Sequence, residues 1–425
     1  MKLKIYLLTF SFLLIFQLGF SQSPTSSGFI LKPDRVFDGE KMQEGWIVIV
    51  KENKIIACGN AKQVSTSDYP NFQVKNLKGQ TLMPGLIEGH SHLLLHPYNE
   101  TGWNDQVLKE SEAERVVRAT VAARKTLEAG FTTVRDLGSE GAGYADVGLK
   151  ISIEKGIIPG PRMIVAGKAI VTTGSYGPKG FAPHVRVPLG AEEADGVDNL
   201  TKVVRDQIGK GADVIKVYAD YRWGAFGQAA PTFTLEELKL IVKITESSGR
   251  KVVAHAASEE GMRRAILAGV STIEHGDAGT PEIFKLMQKY DVALCPTLAA
   301  GDAITQYRGW KKGSEEEPER IKNKRKTFKM ALDANVKICA GGDVGVFSHG
   351  TNARELVMMV EYGMTPLSVL QSVTSVNADI FQMGDKIGKV EKGLWADLIS
   401  VEGNPLEDIR VLENVKMVMK DGVIY

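Results

Sequence analysis

The sequence predicts an α/β fold: a (β/α)8 TIM-like barrel with a small β-sandwich domain formed by both termini. Three observations lead there. Apolar strand-like runs alternate with amphipathic helical segments through the middle of the chain. Both ends consist of short β-like runs. Four of the seven histidines close apolar runs of the strand type.

At 425 residues the chain can hold a barrel of roughly 250 residues plus a smaller domain. Hydrophobic content of 43% and charged content of 24% are ordinary for a globular protein. Lys+Arg of 52 against Asp+Glu of 51 leaves no charge excess to attract nucleic acid or an anionic membrane. Lys2 and Lys4, the apolar run 5–20 and the site Gly19-Phe20-Ser21 read as a secretory signal peptide over residues 1–21. That run is shorter than the ~20 residues of a membrane span, so no stable membrane association is expected after cleavage. Cys58, Cys295 and Cys339 make no disulfide framework, and the latter two read as buried thiols. Export without disulfides suits a periplasmic protein.

The elements follow in order. Residues 27–84 alternate apolar runs with turns, Asn53 lying in a hairpin turn between WIVIV and KIIAC, and residues 385–425 repeat that character. Together they are the expected sandwich. Residues 85–384 are the expected barrel, with eight strand candidates: GLIEGHSH, TTVRDLG, PRMIVAGKAI, DVIKVYAD, KVVAHAAS, STIEHGD, VALCPTL and KICAGGD. Segments between them, such as SEAERVVRATVAARKTLEAG and TLEELKLIVKITESSG, end in Gly as helices do. Such alternation implies a parallel sheet whose chemistry lies at the C-terminal strand ends. Residues 171–189 and 299–318 read as long functional loops, placing Lys179, His184, Tyr307 and Trp310 over the barrel mouth.

His90 and His92 are two apart on a strand end, so their rings project to one side. His255, His275 and Asp343 close other strands, and zinc suits such imidazole and carboxylate ligands. Lys216 admits two readings, a salt-bridged or snorkelling side chain, or a buried amine that has lost its charge between Ile215 and Val217. His349 either contacts substrate or caps the helix after it. Tyr218 faces the same side as Lys216 and is a further substrate-binding candidate. Arg222 and Lys179 are either carboxylate partners or solvated bases.

On PGLIEGHSH, GADVIKVYAD, VVAHAAS, TIEHGD, GGDVG and the tail GKVEKGLWADLISVEGNP, the chain resembles the amidohydrolase superfamily. Within it the chain is similar to the binuclear, prolidase-like branch of Xaa-Pro dipeptidases and N-acyl amino acid hydrolases. The loop TTGSYGPKGFAP resembles that of bacterial ochratoxin-hydrolysing amidohydrolases. The resemblance implies two divalent ions, Zn2+, with His90 and His92 on one and His255 and His275 on the other. Lys216, carboxylated by CO2, would bridge them, and Asp343 would bind the first and shuttle a proton. The implied reaction is hydrolysis of the C–N amide bond of an N-acyl amino acid or dipeptide-like substrate by a metal-bridging hydroxide, in a homo-oligomer. Many members of that branch carry Gly-Gly-His after the third strand. Here the run is Thr173-Gly174-Ser175-Tyr176, which makes Tyr176 or His184 the candidate for that place. The alternative is a mononuclear imidazolonepropionase-like or deaminase-type hydrolase of a cyclic amide or ring amine. Deaminases need an acid three positions after the fifth-strand histidine, where Ser258 stands. A non-catalytic relative would have lost ligands, and all six are present.

Overall fold

The computed structural model describes residues 28–425, so the expected signal segment lies outside the described residues. Both termini contribute to a mixed eight-stranded sheet. The β-branched run Trp46–Lys51 turns through Glu52, in the left-handed region at φ 53°, and returns antiparallel as Lys54–Asn60. Gln73–Pro84 joins the two ends of the chain. It runs parallel to Gly28–Phe37 and antiparallel to Leu398–Glu402.

The expected sandwich differs from what forms. All eight strands are hydrogen-bonded into one sheet rather than two facing ones. The sheet's ends approach each other: Ala396 N donates to Asn53 O, Ile55 N to Leu394 O, and Gly422 N to Ala396 O. Strand twist lets a sheet of this size curl. The curled sheet encloses its own core of Leu31, Val48, Val50, Leu82, Leu398 and Met419.

The middle of the chain supplies the parallel strands. The first, Leu86–Ser91, pairs with the second, Phe131–Asp136, and that with the third, Arg162–Val165. The third resumes as Ile170–Val171, which meets the fourth, Val214–Tyr218. The fifth (Lys251–Ala256), sixth (Thr272–His275) and seventh (Ala293–Cys295) follow in parallel register. The eighth candidate is not a regular strand. Residues 337–344 make only bridges, Leu294 to Ile338 and Ser91 to Val344. Bonds from Leu294 N to Lys337 O and from Gly89 N to Ala340 O carry the pairing back to the first strand. Glycine explains the irregularity: a Cβ on Gly341 would lie 2.6 Å from His90 N, and one on Gly89 would lie 2.5 Å from Ala340 O. The two backbones meet too closely for side chains.

Helices fill the connections. Leu235–Glu246 begins with a Thr234/Glu237 capping box and buries Leu238, Ile241 and Val242. The expected loop 299–318 is instead helical at its start, Leu298–Tyr307. Its alanines pack inward, and Glu355 accepts the N–H groups of Leu298 and Ala299 at 3.0 and 2.7 Å. In the 171–189 loop, residues 175–178 are buried and residues 179–186 exposed.

Candidate metal centre and active site

The first strand holds His90 and His92 almost fully buried, with their Nε2 atoms 3.3 Å apart. His90 Nδ1 lies 2.8 Å from Glu274 Oε2, and His92 Nδ1 lies 2.9 Å from Gly138 O. Carboxylate and carbonyl oxygens only accept, so both Nδ1 atoms carry a proton and both rings turn Nε2 toward the centre. Asp343 Oδ1 joins them at 3.6 Å from His90 and 3.3 Å from His92. Asp343 is met by two imidazole nitrogens, and in the absence of a metal the cluster holds a proton on His92 that a bound cation would displace. The residues therefore fit a divalent metal such as zinc.

Burial opposes protonation of His92, yet the hydrogen bond and charge of Asp343 outweigh it and push His92 up to about 9. Burial and then the Lys216 charge press His90 down to about 4. Against its own burial, Asp343 is held down at about 2 by these histidines.

The second pair sits alongside. His255 and His275 have ring centroids 4.6 Å apart, and His275 lies 5.3 Å from His90. Burial presses His255 to about 3 and His275 well below its usual value, so both offer neutral nitrogens. His275 Nδ1 lies 2.8 Å from Thr297 Oγ1, which leaves its Nε2 free toward Asp343, whose carboxylate lies within 4.8 Å of it. Asp220 lies 3.8 Å from His255 Nε2 and is itself pinned by Ala257 N, Ser258 N and Ser258 Oγ. Lys216, 1% exposed, sits among these groups, and burial holds its ammonium below the usual lysine value. Of its two sequence readings, the buried amine is the one the fold matches.

Backbone strain gathers here. His275, Thr297, Asp343 and Glu140 are non-glycine residues in the left-handed region, at φ 74°, 50°, 60° and 47°. Each such residue costs on the order of 1–3 kcal/mol, and surrounding bonds must hold it. Lys324 Nζ, for example, donates to His275 O at 2.6 Å.

A layer behind the ligands escaped sequence reasoning. Arg135 donates to Gly89 O at 2.7 Å, Thr272 Oγ1 at 3.1 Å and Glu274 Oε1 at 2.9 Å. Glu274 thus has Arg135 on one oxygen and His90 on the other, and its carboxyl stays far below the usual range despite burial. Glu88 accepts from His90 N, Gly342 N and Asn352 Nδ2, and burial raises it to about 7. The available signal was charged residues inside otherwise apolar runs, as in TTVRDLG and STIEHGD.

Above the ligands opens a cavity of about 530 Å³, lined by Tyr98, Tyr176, Tyr218 and Tyr221 among others. Tyr218 stacks on His255 with centroids 4.5 Å apart and planes at 15°. The Tyr176 hydroxyl donates to Glu140 at 2.8 Å, and its ring meets Tyr218 at 4.7 Å. Both predicted tyrosines therefore face the cavity, while Tyr98 and Tyr221 went unpredicted. Other expectations are corrected. His184 and Lys179 are exposed on the outer part of their loop and do not line the cavity. His349 faces away: its Nε2 donates to Leu95 O at 3.0 Å, and it borders a separate depression with His96. Nor does it cap a helix, since no side chain caps Ala353–Glu361. Tyr307 borders a third depression. The Trp310 indole is buried and donates to Glu316 O, so neither aromatic covers the mouth. These loops lack the period that lets a strand be read from sequence.

Parallel strands that bring imidazoles, a buried lysine and an aspartate together toward their C-terminal ends give the arrangement of a barrel hydrolase with a candidate metal site. Comparison with known proteins narrows the class. The family model described as "Amidohydrolase family" matches residues 81–425, and the chain belongs to that family, as a hydrolase of amide bonds. It is 29% identical over 411 residues to the ochratoxinase of Aspergillus niger, covering 90% of this chain and 82% of that one. A Xaa-Pro dipeptidase solved with methionine in its active site superposes with TM-score 0.81 at 33% identity, over 94% and 99% of the two chains. A prolidase complexed with N-methylphosphonate-L-proline gives TM-score 0.78 at 28% identity, over 94% and 99%.

Proposed function

We propose that the protein hydrolyses the amide bond of an N-acyl amino acid or dipeptide-like substrate at a two-cation centre held by His90, His92, Lys216, His255, His275 and Asp343. The observation that carries this is the convergence of His90 Nε2 and His92 Nε2 on Asp343, beside the neutral pair His255 and His275. The dipeptidase and ochratoxinase relatives support an amide with an amino acid on one side.

Two divalent cations, zinc by the chemistry of the ligands, would polarise the scissile carbonyl and lower the pKa of the attacking water. Asp343, ionised at neutral pH, accepts a proton from that water and passes it to the leaving nitrogen. Lys216 in its neutral form adds CO2 to give a carbamate and a released proton, completing the ligand set with a carboxylate. Glu274 and Thr297 hold His90 and His275 by their Nδ1 atoms, which fixes the nitrogens turned to the centre. Tyr218 and Tyr176 form the apolar wall against which the acyl group or side chain rests. We further propose that residues 1–21 export the chain and that it works in the periplasm.

The test pairs metal analysis with a screen of N-acyl amino acids and dipeptides, using protein loaded with zinc. Two ions per chain and turnover of free-acid amides are expected. One ion per chain, with activity only on ring amides or ring amines, would overturn the reading.

A further inference from the structure

His90, His92, His255 and His275 are not held alike. Three of them have Nδ1 within hydrogen-bond distance of a protein oxygen: His90 of Glu274, His92 of Gly138 and His275 of Thr297. Among the described residues the His255 ring has no such partner, since Asp220 Oδ1 stands 3.8 Å from its Nε2, beyond a hydrogen bond. What fixes the plane of His255 is a face. Tyr218 lies against it with centroids 4.5 Å apart and planes at 15°, and His275 meets it edge-on at 4.6 Å.

A stacked ring is only as fixed as the ring it rests on. Tyr218 meets Tyr176 at 4.7 Å, and Tyr176 meets Trp103 at 5.3 Å, so an aromatic file runs from His255 to the start of the helix Trp103–Lys109. The polar handles at its far end share one acceptor. The Tyr176 hydroxyl and the Trp103 indole N–H both donate to Glu140 Oε2 at 2.8 Å. These residues come from separate segments of the chain, and Glu140 is where they are joined.

Glu140 is itself tightly placed. It is 3% exposed and sits in the left-handed region at φ 47°, a conformation that surrounding bonds must hold. Arg115 supplies them, donating to Glu140 O at 2.6 Å and Ser139 O at 3.0 Å. The guanidinium thus grips the main chain and leaves the carboxylate to the aromatic donors. Two residues earlier, Gly138 O holds His92 Nδ1. One short loop after the second strand therefore reaches both histidine pairs, His92 directly and His255 through two tyrosines.

We infer that Glu140 is a positioning residue that, through Tyr176 and Tyr218, sets the ring plane of His255 for the second cation. This rests on the two-cation centre proposed above and adds how the histidine without a hydrogen bond is oriented.

The experiment follows His255 itself. Exchange of the imidazole C2 hydrogen with deuterium, read by mass spectrometry on the zinc-loaded protein, reports each histidine separately. Glu140→Ala and Tyr176→Phe should speed exchange at His255, while His90 and His275 keep the wild-type rate. Glu140→Gln, whose amide oxygen accepts both bonds, should restore the slow rate. In competition with a chelator, the two loosened variants should lose about 10–100-fold in affinity for the more weakly held zinc, the range for a partner that orients a ligand, and keep the tighter one. Thermal melting on the same samples identifies a variant that fails to fold, and Tyr176→Phe, which retains every ring of the file, decides the matter if Glu140→Ala does fail. Unchanged exchange at His255 in folded Tyr176→Phe, or equal acceleration at His90 and His275, would overturn the positioning role. One zinc or none in wild type would sink the two-cation reading, and exchange at His255 would still decide what Glu140 does.

Discussion

The floor and the rim of the cavity are built on different principles. On the floor, His90, His255 and His275 stand at or next to the ends of strands of the parallel ladder, Lys216 lies in the middle of the fourth strand, and Asp343 lies near the end of the bridged eighth segment. Their positions are set by backbone pairing and by buried partners such as Glu274 and Arg135. On the rim, Arg222 follows the short strand Asp220–Tyr221 and Arg320 stands at the start of the helix Glu319–Asp333, both side chains exposed. The floor is overdetermined and the rim is lightly held. On the function proposed above, chemistry would belong to the first and substrate choice to the second, because a rim residue can change without moving a ligand.

The comparison breaks most visibly at Asp343. Asp343→Asn keeps the shape but removes the basic oxygen, so kcat should fall by about 10²–10⁴, the range of general acid–base catalysis, while most metal remains. A rate within a few-fold of wild type, with metal content measured on the same sample, would move the proton shuttle elsewhere. Lys216→Ala should lose metal and activity together, with partial recovery in small carboxylic acids. Full metal content in that variant would end the bridging role.

Glu274→Gln sharpens the contrast within the floor. It leaves every ligand in place but weakens the hold on His90 Nδ1, so zinc affinity should drop by roughly 10–100-fold by competition with a chelator. Unchanged affinity would reduce Glu274 to a counter-ion for Arg135.

A smaller effect probes how the wall is attached. Burial lifts Glu355 to about 8 from an ordinary 4.5, and it holds the first turn of Leu298–Tyr307. A carboxyl whose pKa is raised by folding binds more protons folded than unfolded between those values. Stability on its account is therefore greatest below about 4.5 and declines as pH rises through about 8. Glu355→Gln should flatten that decline in a Tm-against-pH series, and an unchanged slope would assign the decline elsewhere. The smallest effect is expected at His184, outside the cavity: His184→Ala should leave kcat/KM at the wild-type value.

The amino-acid sequence by itself determined the strand ends. His90 and His92 two apart, His255 and His275 closing apolar runs and Lys216 within one were legible because a strand alternates its side chains and a parallel ladder aligns its ends. The alternation of strands and helices was legible for the same reason. The tertiary structure alone decided the rest. Glu274 meets His90 across 184 residues of sequence, and Thr297 meets His275 from the next connection. His349 and Trp310, on aperiodic segments, turned away from the mouth, while Tyr98 and Arg320 turned toward it. The terminal β-runs closed into one curled sheet because Gln73–Pro84 found partners on both sides. Local periodicity sets the direction of a side chain within an element, whereas contacts between distant elements depend on how those elements pack, and no local pattern records that.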